Sequence, residues 1–427
     1  MANRVRERIA DPEGAAPIDL PGGGGQVSGA ASKSWDPPAG IDRMGGLMKE
    51  GNMRTLTAVG VLLALATGAA SQEETQKPLA IGASAPDFSL PGVDGRTYSL
   101  ADFKSAKILI VLFTSNHCPT AQAYEERVKK IVEDYAPQGV ALVGIQPNST
   151  KGLRLDELGY TELGDSFEEM KVRAKEKGFN FPYIDDGATQ STARAYGCKA
   201  TPHVFVFDEA RKLCYAGRID DSERPEYVKV HDLRNALTAM VAGKEVEVKT
   251  TPAFGCSTKW ASKEESVKKY LEKVAAEPVS VSPIDEAGLA ALAKNDSGKL
   301  RLVNFWSTTC IPCLEELPDL VDINRMYRHR AFEMVTVAAN YPDEKADVEK
   351  LLKKFACSSK NYLLAGTDKY KQLGAFDKEW DAALPYTVLL GTDGRVLYKA
   401  NGKINPIELR KKIVDTLGRY MDPPKNK

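Results

Sequence analysis

Apolar and polar positions follow one plan twice along this chain. In LVNFWSTTCIPCLEELP (302–318), Leu302 to Trp306 form an apolar run short enough to be a buried strand. Two threonines then lead to Cys310, Ile311, Pro312 and Cys313. The period of LEELPDLVDINRMY (314–327) predicts a helix, which Pro318 should kink. KILIVLFTSNHCPTAQAYEERVKKIVEDY (107–135) repeats the plan: an apolar strand, then Cys118, then an amphipathic helix with Pro119 suited to its first position. Aligning Cys118 with Cys310 sets Phe113 against Phe305, Ser115 against Ser307 and Ala121 against Cys313. Two copies of one strand–cysteine–helix plan constitute an internal duplication.

The same reading places the other elements. In a first unit, 79–245, APDFSLPGVDGRTYSLADFK (85–104) predicts two short strands around the turn Asp94-Gly95. A strand over 139–146, a helix over 165–179, a closing hairpin within 200–219 and a last helix over 230–243 follow. Residues 246–280 read as a linker, with Cys256 in a polar, turn-like stretch and then a helix with little apolar face. In a second unit, 281–421, the pattern predicts helices over 283–294, 343–356 and 406–421 and strands over 331–341, 386–390 and 395–400.

Composition adds bounds. A chain of 427 residues allows two or three domains of about 150 residues each. Its 58 Lys and Arg balance 58 Asp and Glu, so nothing in the totals suggests a nucleic-acid or membrane-surface partner. Residues 1–47, rich in Gly, Pro, Ala and Asp, are expected to be a disordered extension or untranslated. Residues 48–70 have the parts of a signal peptide: Lys49 and Arg54, an apolar run from Leu56 to Ala66, then small residues before Ser71. Translation from Met48 or Met53 and a mature start near Ser71 are expected, a membrane anchor being the alternative. Either way the folded part is exported, periplasmic or secreted, where disulfides persist.

A strand turning into a helix through Cys-x-x-Cys puts Cys310 at a helix N-terminus. There the dipole and unpaired N–H groups favour a thiolate, and Cys313 lies near enough to resolve a mixed disulfide. A structural disulfide or half a zinc site is the alternative. Ribbon zinc needs a second Cys or His pair, and c-type haem needs His where Leu314 stands. No cofactor and no metal are therefore expected. Ile311 brings no charge and Pro312 no N–H, so neither adds to thiolate stabilisation. The potential should then lie nearer thioredoxin's, about −270 mV, than DsbA's, about −120 mV, giving a reductase or relay.

His117 directly precedes Cys118, where a protonated imidazole would lower the thiol's pKa; a surface histidine pointing away is the alternative. A His–Cys copper site would need a further ligand nearby. Of seven cysteines, five remain beyond Cys310 and Cys313, an odd number that cannot fully pair within the chain. Cys198, Cys214 and Cys357 read as packing residues. Cys256 either resolves Cys118 by reaching back over the first unit, stays unpaired, or forms a structural bridge. His203, His231 and His329 show no ligand spacing.

Over 281–420 the chain resembles thioredoxin, and more closely the extracytoplasmic TlpA/ResA-type thiol–disulfide oxidoreductases. Phe305, Trp306, Cys310, Pro312, Cys313, Glu316 and Pro318 carry the likeness, with Leu384-Pro385 matching the family's cis-proline beside the cysteine pair. Asn304 stands where thioredoxin has a buried Asp, and Thr309 where the family usually has Trp. The resemblance implies that Glu316 assists proton transfer. The first unit resembles the AhpC/TSA and redoxin branch, in its hairpin and its HCPTAQAY segment, with Thr201-Pro202 at the cis-proline place. It departs from true peroxiredoxins, which have Pro and Thr where Val111 and Ser115 stand; Arg194 or Arg218 would be the peroxide-activating arginine.

Together the resemblances imply an α/β protein: two thioredoxin-like folds, each a central mixed sheet flanked by helices, in tandem after a signal peptide. They imply a thiol–disulfide oxidoreductase with Cys310, Cys313, Glu316, Pro385, Cys118, His117 and Pro202 at its sites. Its partners would be protein disulfides or dithiols and an upstream reductant. One alternative is a peroxidase in which Cys118 reduces hydroperoxides and the second unit recycles it. The other is that the first unit is a non-catalytic binding module.

Overall fold

The structure, a computed structural model, describes residues 77–420; the expected extension (1–47) and leader (48–70) lie outside them. The first fold opens with an antiparallel hairpin of β1 (Ser89–Pro91) and β2 (Thr97–Ser99). Its turn is Asp94-Gly95, where Gly95 takes φ +86° and the Tyr98 hydroxyl donates to Asp94 Oδ2 at 2.6 Å. Next come β3 (Ile108–Phe113), β4 (Val140–Gln146), β5 (Tyr183–Asp185), β6 (Ala200–Thr201), β7 (His203–Phe207) and β8 (Leu213–Gly217). Five of these form a mixed sheet in the order β5-β4-β3-β7-β8, with β3 central and antiparallel only to β7.

The sequence of β3 explains its place. All six of its residues are apolar and buried, as a strand covered on both faces requires. Leu109, Val111 and Phe113 pack with Tyr196, Phe205 and Phe207 on one face. Ile108, Ile110 and Leu112 pack on the other against Tyr124, Val128 and Ile131 of the helix Pro119–Tyr135 and Leu233 of the helix Asp232–Val241. This is the two-residue period of a strand separating two helical layers.

β9 (Cys256–Ser257) leads into the second fold, with β10 (Val281–Ile284), β11 (Leu300–Trp306), β12 (Phe332–Ala338), β13 (Lys360–Leu364), β14 (Tyr386–Leu390) and β15 (Val396–Asn401). Their sheet order is β10-β13-β12-β11-β14-β15. β11 repeats β3: parallel to β12, antiparallel to β14, every residue buried. Leu302 and Trp306 face the helices Ile311–Tyr327 and Pro406–Leu417, while Val303 and Phe305 face Leu289, Phe376 and Trp380. In both folds the peptide before the strand paired to the central one is cis, at Thr201-Pro202 and Leu384-Pro385. Each fold is thus a mixed sheet with helices on both faces, the thioredoxin-like α/β arrangement expected.

Three readings change. The second fold begins with a strand, not a helix at 283: Val281 and Ile284 are buried and pair with β13, and the helix is Glu286–Lys294, capped by Asp285. The strand over 331–341 is shorter than read, Phe332–Ala338, while the helix Ile311–Tyr327 carries the buried Pro318 within it. The stretch read as a linker folds back onto the first fold, β9 pairing antiparallel with β6 and Trp260 packing against the first core. The helix after it, Glu264–Ala275, buries Val267 and Val274.

Both sheets belong to one compact unit. A segment following β4 joins them: Leu153, Leu155 and Leu158 are buried within the core of the second fold, beside the helix Ile311–Tyr327. There the Tyr327 hydroxyl donates to the Thr161 carbonyl at 2.8 Å, and Arg419 pairs with Glu162 at 2.6 Å.

Candidate active site

Each central strand delivers a cysteine to the head of a 17-residue helix. Cys310 has extended backbone (φ −87°, ψ 97°), and its Sγ accepts the Cys313 N–H at 3.3 Å. Cys118 has nearly the same conformation (φ −73°, ψ 116°), and its Sγ accepts the Ala121 N–H at 3.4 Å. The backbone hydrogen bond is therefore the same whether or not residue i+3 carries a sulfur.

Around Cys310 the site is open. It is joined to Cys313 in a disulfide with Cα atoms 5.3 Å apart. Cys310 is half-buried and Cys313 buried, while the intervening Ile311 is 70% exposed. An incoming thiolate therefore meets Cys310 first, beside an exposed apolar side chain. One turn beyond Cys313, Glu316 is buried. Its Oε1 accepts from Asn304 Nδ2 at 3.0 Å and its Oε2 from the Ile404 N–H at 2.9 Å. Burial pushes its carboxyl up to about 7, with those two donors opposing the rise. Glu316 lies three residues after Cys313, so both occupy one side of the helix.

Around Cys118 the site is closed. Thr114, Ser115, Asn116, His117 and Cys118 are all buried, and Cys118 is 0% exposed. The turn is held by Asp165, whose Oδ1 accepts the N–H groups of Asn116 and His117 at 2.9 and 3.0 Å. Its Oδ2 lies 2.5 Å from His117 Nδ1 and accepts from Asn148 Nδ2 at 2.9 Å. Burial works against a charged imidazole, but the Asp165 carboxylate outweighs it and raises the His117 pKa. Burial likewise opposes the Asp165 carboxylate, and His117 and the surrounding donors hold it below its ordinary range. The surface-histidine alternative for His117 is therefore wrong: the imidazole is 2% exposed and paired to a carboxylate.

The cover over Cys118 comes from the cis-proline loop and β9. The Cys118 thiol donates to the Thr201 carbonyl at 3.0 Å, and Ser115 Oγ lies 3.1 Å from Thr201 Oγ1. Thr201 is also the register partner of Cys256, so Cys118 and Cys256 converge on one residue. Burial disfavours the Cys118 thiolate, but the neighbouring Cys256 thiol, the His117 charge and the Ala121 N–H bring the thiol down to about 6. The Cys256 thiol, facing that anion, is pushed far up.

Pro202 and Pro385 both occupy the predicted cis positions. Arg194 and Arg218 are engaged elsewhere, Arg194 over the Trp260 ring and Arg218 in an ion pair with Asp232 at 2.8 Å. Burial pushes the Cys198 thiol up to about 12 and also raises Cys357, as packing cysteines should behave. Among the described residues no group of three or more His, Cys, Asp or Glu is placed to hold a metal ion. Asp165 and Asn148 escaped the sequence reading, because they stand 48 and 31 positions from His117 in segments with no motif.

The fold and its cysteine-headed helices define a protein of the thioredoxin class. Residues 81–216 match the AhpC/TSA family and residues 286–417 match Redoxin, so the chain belongs to the AhpC/TSA–redoxin group and carries two of its domains in tandem. The "Thiol:disulfide interchange protein CycY" of Rhizobium leguminosarum bv. viciae is 29% identical over 128 residues, 30% of this chain and 63% of CycY. The chain thus spans just under two thirds of that relative's length. A Mycobacterium tuberculosis (strain CDC 1551 / Oshkosh) protein, MT2597, whose name assigns it provisionally to the peroxiredoxins, is 32% identical over 148 residues, 32% of this chain and 82% of its own. The solved structure of hypothetical protein SMc02350 from Sinorhizobium meliloti 1021 has 37% identity and a TM-score of 0.38, covering 43% of this chain and 96% of its own.

Proposed function

We propose that this protein is an exported thiol–disulfide oxidoreductase that works in the reducing or relay direction through Cys310 and Cys313. The observation that carries the reading is the cysteine pair at a helix head with one reachable sulfur and one buried. In the reduced protein the Cys310 thiolate, favoured by the helix N-terminus, attacks a substrate disulfide and releases one thiolate. Cys313 then attacks Cys310, releases the second substrate thiol and closes the internal disulfide. Its proton passes to a carboxylate on its own side of the helix, Glu316, which a pKa of about 7 suits to accepting and returning it near neutrality. Pro385, cis and just before the strand paired to β11, stands at the position that flanks the cysteine pair in the thioredoxin-like resemblance, and the exposed Ile311 offers an apolar contact to a protein substrate. An upstream dithiol reductant returns the pair to the reduced state.

For the first fold, Cys118 is a redox thiol and not part of an inert docking module. What supports this is a buried thiol that its surroundings lower to about 6 instead of raising, as burial alone does to Cys198. Export rests on the leader pattern of residues 48–70; among the described residues no helix is long and apolar enough to cross a membrane. Insulin reduction with dithiothreitol tests the exchange activity. Cys313→Ser should accumulate mixed disulfides at Cys310, and a variant that traps nothing would refute the reading. Mass spectrometry of the exported protein should find a start near residue 71.

A further inference from the structure

We propose that Cys118 and Cys256 form a second redox-active dithiol, in which Cys256 is the sulfur that exchanges with an external disulfide or dithiol and Cys118 is its buried partner. This rests on the reading of Cys118 as a redox thiol and goes beyond it by assigning the partner and the order of attack. The two cysteines stand 138 positions apart and meet because β9 returns to the cis-proline loop. Cys256 pairs in register with Thr201, and the Thr201 carbonyl accepts the Cys118 thiol at 3.0 Å. Both cysteines thus converge on Thr201, where each thiol shifts the ionisation of the other. Gly255 permits this approach: it takes φ +143°, and a Cβ there would collide with the Thr201 carbonyl.

Two asymmetries set the direction. Cys118 is 0% exposed beneath the cover, whereas Cys256 is only half-buried, so an external sulfur reaches Cys256 first. The groups that hold negative charge, the Ala121 N–H and the His117 imidazole backed by Asp165, converge on Cys118. In thiol–disulfide exchange the sulfur better able to carry the charge leaves faster. When the pair is oxidised, one thiolate of an external dithiol attacks the Cys256 sulfur. The Cys118–Cys256 bond breaks and its electron pair departs on Cys118 as a thiolate. The second external thiol then attacks its own partner's sulfur in the mixed disulfide, releasing Cys256. The external dithiol leaves as a disulfide, and its two electrons and two protons reside on Cys118 and Cys256. An external disulfide drives the same steps backwards. The order is the reverse of that at the other site, where the cysteine at the helix head is the reachable one.

The test is peptide mapping of the full chain after equilibration with glutathione disulfide and quenching with acid and N-ethylmaleimide. The wild-type chain should yield a Cys118–Cys256-linked peptide that is lost on adding excess dithiothreitol. With Cys310 and Cys313 both changed to Ala, Cys118→Ser should leave glutathione on Cys256, and Cys256→Ser should leave Cys118 unmodified. If neither cysteine is linked or modified at any glutathione ratio, the proposal fails and so does the redox reading of Cys118. If Cys256→Ser carries glutathione on Cys118 while the wild-type link is absent, the pair is wrong but the redox reading stands. A wild-type link combined with glutathione on Cys118 in Cys256→Ser would overturn the order of attack. The wild-type mapping needs no variant to fold.

Discussion

The two cysteine-headed helices share backbone conformation, helix length and a sulfur accepting the i+3 N–H, yet one sulfur faces outward and the other is sealed. The helix head supplies the tendency to ionise, and what surrounds it decides who may collect the charge. The alignment that superposes Cys118 on Cys310 also sets Leu112 against Asn304 and Tyr124 against Glu316. The hydrogen-bonded Asn304–Glu316 pair beneath the open site is thus replaced by a leucine and a phenol. The closed site instead gathers its ionisable groups on the turn, as His117 and Asp165, and recruits its second sulfur from a distant strand. Duplication preserved the scaffold while the chemistry moved to another side of it.

The largest effect expected from this contrast is at the open site. Cys310→Ser should remove most of the dithiothreitol-driven insulin reduction, because Cys313 is buried and cannot form the mixed disulfide in its place. Insulin turbidity measured side by side with wild type checks this. Retention of most of the activity would show that the closed site does the exchange.

The helices also differ in how each carries buried charge. In the first, Glu125 takes two hydrogen bonds from Arg173 at 2.7 and 2.9 Å, and Arg173 reaches on to Glu162 at 3.2 Å. In the second, Arg325 lies 3.8 Å from Asp322, and burial pushes the Asp322 carboxyl up to about 7. Arg173→Ala strands the buried Glu125 carboxylate, while Glu162 keeps Arg419, and should cost about 3–5 kcal/mol. Arg325→Ala should cost distinctly less, since Asp322 can stay protonated. Urea melts of both variants at pH 6 check the order, and equal losses would break the comparison.

Much of this was legible beforehand because it depends on local pattern. The all-apolar β3 and β11, the two cysteines at helix starts, the Asp94-Gly95 turn and both prolines before strands are readable within windows of ten residues. What was not legible depends on long-range return of the chain. Nothing near Cys256 says that its strand will lie beside Thr201, because two paired residues carry no period. Asp165 looked like the start of a helix, yet its carboxylate is spent on a turn 48 positions earlier. Val281 and Ile284 read as a helix entrance because only pairing with β13 reveals them as an edge strand.

A smaller effect separates the sites by pH. Burial raises the Glu316 pKa from 4.5 to about 7. Below about 4.5 the carboxyl is protonated in folded and unfolded chains alike, and its contribution to stability is fully present. Between 4.5 and 7 the unfolded chain releases the proton and the folded one keeps it, so stability falls as pH rises, by about 3 kcal/mol in all. Glu316→Gln should flatten that slope and also flatten the pH dependence of exchange near neutrality. Tyr124, at the equivalent place, is held by burial above its ordinary range and adds nothing in this window. Denaturant melts from pH 4.5 to 8 measure the difference; an unchanged slope in the variant would mean the carboxyl ionises normally.

The smallest effect tests whether two such different sites share one cooperative body. The Tyr327 hydroxyl donates to the buried Thr161 carbonyl, beside the leucines that the first fold lends to the second core. Tyr327→Phe removes one donor and should cost about 1 kcal/mol. If the segment carrying Leu153, Leu155 and Leu158 fuses the folds energetically, that loss lowers the opening free energy of both sheets. Native-state hydrogen exchange would then show slow amides of β3 and β11 accelerated by a similar factor, about fivefold for 1 kcal/mol. Acceleration confined to β11 would mean that the folds touch but unfold separately, and exchange at the open site would then have no energetic route to the closed one through this contact.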